Sequence, residues 1–105
     1  MPYQIILEEN AKEDIRKVVR WIAVNAEEDP FAKSAAWFTA LQDALDSLSE
    51  LSFRCPCAPE NKFLVEEIRH LLFQKYRVVY TVSGNTVHVL HIRHQRQRPL
   101  RLDDF

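Results

Sequence analysis

Between Arg69 and Arg101 the chain carries three short apolar segments, two tight breaks and neither Asp nor Glu. Segments this short, rich in Val, Tyr, Ile and Leu, favour extended strands. Breaks this tight only reverse the chain, so the strands must be antiparallel neighbours. Residues 76–82 form the strongest strand in the sequence. Ser83-Gly84-Asn85-Thr86 makes the hairpin turn, because Gly and Asn tolerate positive φ. Residues 87–93 are the return strand. Residues 65–73 read as the strand before them, joined through Gln74-Lys75. Strict alternation puts Tyr76, Val78, Tyr80 and Val82 on one face and Arg77, Val79 and Thr81 on the other. On the return strand it puts His91 and Arg93 opposite Leu90 and Ile92.

The first half has a different period. Residues 3–8 suggest an initial strand. Asn10 then offers a helix cap with Glu13 at the reciprocal position. Ala11, Ile15, Val18, Val19, Ile22 and Ala26 recur at three and four residues, the spacing of one helical face, with Lys12, Asp14, Arg16, Lys17 and Arg20 facing away. Asp29 followed by Pro30 restarts the helix, with a capping carboxylate and a first-turn residue that misses no N–H. Trp37, Leu41, Ala44, Leu48 and Leu51 give the stripe of a second helix over residues 30–50, widened by Phe38 and Leu45. The short break makes the pair an αα-hairpin. The expected class is therefore α+β: a strand, a two-helix hairpin, then a three-stranded, mainly antiparallel sheet. The helices bury one sheet face, leaving the other for a partner or an active groove.

With 105 residues the chain is expected to form a single domain, residues 1–105, ending in a short basic tail. One glycine argues against a flexible chain. Apolar runs fall short of a bilayer span, and the first residues lack the pattern of a signal peptide, so a cytoplasmic protein is expected. Cys55 and Cys57, with only Pro56 between them, read as reduced loop thiols. Residues 52–63 hold Pro56 and Pro59 and are irregular.

Charge is divided along the chain. The first 68 residues carry seven bases and thirteen acids. Residues 69–101 carry seven of the fourteen Lys and Arg, together with all four His, and Asp103 and Asp104 bring the formal total to −1. A basic face of this kind suits an acidic protein segment or a phosphate backbone. Arg69, Lys75, Arg77, Arg93, Arg96 and Arg98 are the candidate target-binding or phosphate-binding residues, and Arg69, Arg77 and Arg93 form one cluster if the strand register allows it. His88 and His91 read as structural surface residues. No metal signature is present, no phosphate-binding glycine loop is possible with Gly84 alone, and no cofactor is expected. Glu60, Arg77 and His94 supply the residue types of a metal-independent ribonuclease: a base for the 2′-hydroxyl, an arginine for the phosphorane charge, and an acid for the leaving oxygen. Neither helix is basic enough to read a DNA groove, since acids offset the bases of the first and the second has only Lys33 in its body.

The segment Leu71-Leu72-Phe73-Gln74-Lys75-Tyr76-Arg77-Val78-Val79-Tyr80, the hairpin turn, and Val87-His88-Val89-Leu90-His91-Ile92-Arg93-His94 resemble the RelE/ParE superfamily of toxins, the plasmid stabilisation proteins. The Ala58-Pro59-Glu60 loop and the leading strand and helix pair fit it too. The resemblance implies a toxin of a type II toxin–antitoxin module, bound by a small antitoxin, as a homodimer or a toxin–antitoxin heterotetramer. A ParE-like chain would act non-enzymatically on DNA gyrase. A RelE-like chain would cleave messenger RNA in the ribosome, with Glu60, Arg77 and His94 at the matching positions. Many such nucleases end with an aromatic residue beside that histidine, whereas here the chain runs on from Gln95 to Phe105. The long helix hairpin and basic tail resemble the ParE side. An inactive module that only binds antitoxin is the third expectation.

Overall fold

The computed structural model describes residues 3–51, 58 and 68–97. Six elements follow in order: β1 (Gln4–Leu7), α1 (Glu9–Asn25), α2 (Pro30–Leu51), β2 (Arg69–Phe73), β3 (Tyr76–Ser83) and β4 (Thr86–His94). The expected α+β order is the observed one. The strands form a single sheet in the order β1-β4-β3-β2. β2 and β3, and β3 and β4, are antiparallel. β1 joins the edge parallel to β4, with Gln4 opposite Thr86 and Leu7 opposite Val89. The helix hairpin is the crossover that a parallel pair requires.

Turn chemistry fixes the ends of these elements. Gly84 has φ +60° and Gln74 φ 55°, so each reversal is made through a left-handed residue. Asp29 caps α2 as its position suggests: the Ala32 N–H donates to Asp29 Oδ1 at 3.1 Å. Asp29→Ala should lower stability by about 1 kcal/mol, measurable as a shift in the denaturant midpoint. The start of α1 differs from the sequence reading. The N-cap is Glu8, without a side-chain cap, and Asn10 lies inside the first turn. The Glu8 carboxylate instead meets His88 Nδ1 at 2.8 Å across the chain, so a tertiary contact displaces the local cap.

The core lies between the hairpin and one sheet face. Ala11 and Ile15 of α1, and Trp37, Leu41, Leu45 and Leu48 of α2, pack on Phe73, Val78, Tyr80, Val87, Val89 and Ile92. Phe38 departs from its expected place in that stripe: it is 38% exposed. On the other sheet face a smaller cluster joins Ala58, Ile68, Val79 and Leu90. That face is not the open surface expected from the sequence. Val79 is fully buried, Arg77 and Thr81 are nearly so, and the Ala58 N–H donates to the Ile68 carbonyl at 2.8 Å.

A β-bulge explains why both clusters draw on β4. The register steps from Val79↔His91 to Tyr80↔Val89, leaving Leu90 as the extra residue. Leu90 therefore joins Val79 on the far face while Ile92 joins the main core, in place of the shared face that strict alternation predicts. Beyond Val89, β4 has outrun β1. There Asp14 of α1 takes the place of a strand partner, its Oδ2 accepting from the Ile92 N–H at 3.0 Å and meeting His91 Nδ1 at 2.9 Å. No described helix is long and apolar enough to cross a membrane.

Candidate functional site

Register decides which of the candidate residues can meet. Arg77 stands opposite Arg93 on β4 and Leu72 on β2, while Tyr76 stands opposite His94. Neighbouring residues of a strand point to opposite faces, so Arg77 and His94 belong to opposite sides of the sheet. Arg77 is buried, and its Nη1 donates to His70 Nδ1 at 3.3 Å. His94 lies on the helix side, its ring 5.4 Å from that of Tyr76 in an edge-on contact. Arg69 stands opposite Tyr80 and alternates with Leu71 and Phe73, so it shares the helix-side face and does not join Arg77. Arg96 is exposed beyond β4. Glu60 and Arg98 lie outside the described residues, as do Cys55 and Cys57.

What the fold does assemble is a groove of about 540 Å³ where α1 passes the end of the sheet. Three expected residues line it: Lys75 from the β2–β3 turn, and Arg93 and His94 from β4. Asp14, Lys17, Val18 and Trp21 form its α1 wall, with Tyr76, Ile92 and Gln97 completing it. Sequence reading assigned Lys17 to solvent and did not place Trp21. Yet Asp14, Lys17, Val18 and Trp21 recur at three, four and seven residues, one helical face, and that spacing was the available signal.

The groove is rich in donors. The Arg96 N–H donates to His94 Nδ1 at 3.1 Å, so that nitrogen must offer its lone pair and Nε2 carries the proton. Gln97 Oε1 accepts from the His94 N–H at 2.8 Å, which fixes the amide with its NH₂ as the remaining group. Burial raises the Tyr76 phenol above its usual range, because desolvation disfavours the phenolate, and so it stays protonated. Behind it Trp37 stacks edge-on at 5.5 Å, bracing Tyr76 from α2. The carboxylate of Asp14 is already engaged by His91 and Ile92. Among the described residues no three His, Cys, Asp or Glu side chains come together as metal ligands.

A second groove, about 640 Å³, runs between the helices. It is lined almost wholly by apolar groups of Ile15, Val19, Ala23, Pro30, Phe31 and Phe38. Phe31 is 85% exposed beside it.

The fold matches solved toxin–antitoxin structures. One, the chromosomal ParDE system from P. aeruginosa, superposes with a TM-score of 0.72 at 13% identity, covering 88% of this chain and 95% of that one. Another, the RelBE2 toxin–antitoxin complex from Mycobacterium tuberculosis, gives a TM-score of 0.53 at 20% identity, covering 90% and 99%. No curated protein matches the sequence. The family model described as the ParE toxin of the type II toxin–antitoxin system parDE matches residues 5–99. That is nearly the whole chain, strands, hairpin and basic groove included, and the protein belongs to this ParE family within the RelE/ParE toxin superfamily.

Proposed function

We propose that the protein arrests growth by binding DNA gyrase, without cutting RNA, and that a cognate antitoxin neutralises it. The observation that carries this reading is the separation of Arg77 from His94. A ribonuclease of the acid–base type needs its arginine and histidine within reach of one phosphate. Here the sheet lies between them, and Arg77 is buried against His70. The ParE family match over residues 5–99 supports the same reading.

The antitoxin follows from the surface that the hairpin leaves. An apolar groove with Phe31 and Phe38 at its edge is costly for a domain that stays alone. It suits the apolar face of an amphipathic helix, and both solved relatives are toxin–antitoxin assemblies.

Expression without antitoxin, comparing the native chain with Glu60→Gln, tests the mode of action. Gyrase inhibition predicts equal growth arrest from both chains, with messenger RNA ends unchanged. Loss of arrest in Glu60→Gln, together with cut messages in the native chain, would reverse the assignment.

A further inference from the structure

The groove between α1 and the end of the sheet is built for a ligand that offers acceptors and a flat ring. We propose that it binds a single-stranded nucleic-acid segment, with one base on Trp21 and the adjoining phosphates on Lys17, Lys75 and His94. This is a binding site separate from Arg77 and from the apolar groove between the helices, and it does not depend on the identity of the growth-arrest target.

Three features carry the assignment. The lining supplies cations from two independent elements, Lys17 on α1 and Lys75 on the β2–β3 turn. Its polar atoms are mostly donors: the ammonium groups, His94 Nε2–H, the Gln97 amide NH₂ and the protonated Tyr76 phenol. Its one carboxylate, Asp14, already accepts from Ile92 and meets His91. A peptide brings a backbone N–H for each carbonyl, and this wall has little to accept it. A phosphodiester brings acceptors only, and a base needs nothing from Trp21 beyond its face. Trp21 is 63% exposed at the rim, whereas Trp37 is buried. The volume of about 540 Å³ lies within the range of nucleotide-sized sites.

Titrating the full chain with a short oligothymidylate at low salt, followed by tryptophan fluorescence, tests the proposal. Trp21 should be quenched on binding, and Trp21→Phe should remove the quenching. Two phosphates neutralised by Lys17 and Lys75 give a slope of log affinity against log salt of about −1.4 for a single strand. Lys17→Glu combined with Lys75→Glu should weaken binding by roughly tenfold or more and flatten that slope. Lys33→Glu, on α2 away from the groove, should change neither, and circular dichroism would establish that each variant is folded. The proposal is overturned by absence of quenching, by quenching that survives in Trp21→Phe, or by affinity indifferent to the double substitution. Equal affinity for thymidine monophosphate or for polyglutamate would overturn it as well, since the groove would then read charge without a strand.

Discussion

Replacing Trp37 with alanine should destabilise the folded chain by about 3–5 kcal/mol, the range for truncating a buried large aromatic residue. Trp37 is 7% exposed and joins three elements. From α2 its ring meets Phe73 of β2 at 6.0 Å and Tyr76 of β3 at 5.5 Å. Alanine leaves a void where the hairpin grips the sheet, and the close packing around it cannot collapse to fill the space. The loss also reaches the groove, because Tyr76 in turn meets His94. Trp37→Phe should cost much less. Phenylalanine keeps a ring in place and removes the indole Nε1–H, which is buried with no hydrogen-bond partner among the described residues. Denaturant unfolding of the two variants separates these effects. A loss below about 1 kcal/mol for Trp37→Ala would mean that the aromatic contacts do not hold the two layers together.

Asp14→Ala should be nearly as damaging, at about 2–4 kcal/mol, for a different reason. Its Oδ2 meets two groups on β4, the Ile92 N–H at 3.0 Å and His91 Nδ1 at 2.9 Å. His91 is only 8% exposed, so water does not readily replace the carboxylate. Removing Asp14 strands two donors at the point where β4 has lost β1 as its neighbour. Asp14→Asn keeps one carbonyl oxygen, which can accept from both groups as Oδ2 does but without its charge, and should cost about half as much. Hydrogen exchange at Ile92 gives a direct reading, since its amide should lose protection in Asp14→Ala before the rest of β4 does. Unchanged protection there would place the strand's support elsewhere.

The sequence showed features that depend on near neighbours. The apolar stripe from Trp37 to Leu48, the Asp29-Pro30 restart and the Gly84 turn each act within a few residues, and each is found where it was expected. The errors came where distant segments decide. Asn10 has the right chemistry for a cap, but Glu8 ends the preceding segment because it is drawn to His88, eighty positions away. No alternation pattern reveals that Leu90 is a bulge, since the insertion is defined only against the partner strand. For the same reason Arg69, Arg77 and Arg93 looked like one cluster until Arg69 paired with Tyr80 and turned to the other face. The basic stretch was visible as charge, and Lys75, Arg93 and His94 do meet in one groove. The α1 wall that completes it was hidden because Lys17 lies on the polar side of its helix, and only the packing of α1 against the sheet end brings that side into a site.

The most direct test of the central claim places the purified protein with DNA gyrase and supercoiled plasmid, and in parallel with ribosomes translating a defined message. Loss of supercoiling activity or trapped gyrase–DNA cleavage complexes, with the message intact, is the predicted result. Cleavage of the message, with gyrase working at its normal rate, would contradict it and make the chain a nuclease whose catalytic groups converge only on the ribosome.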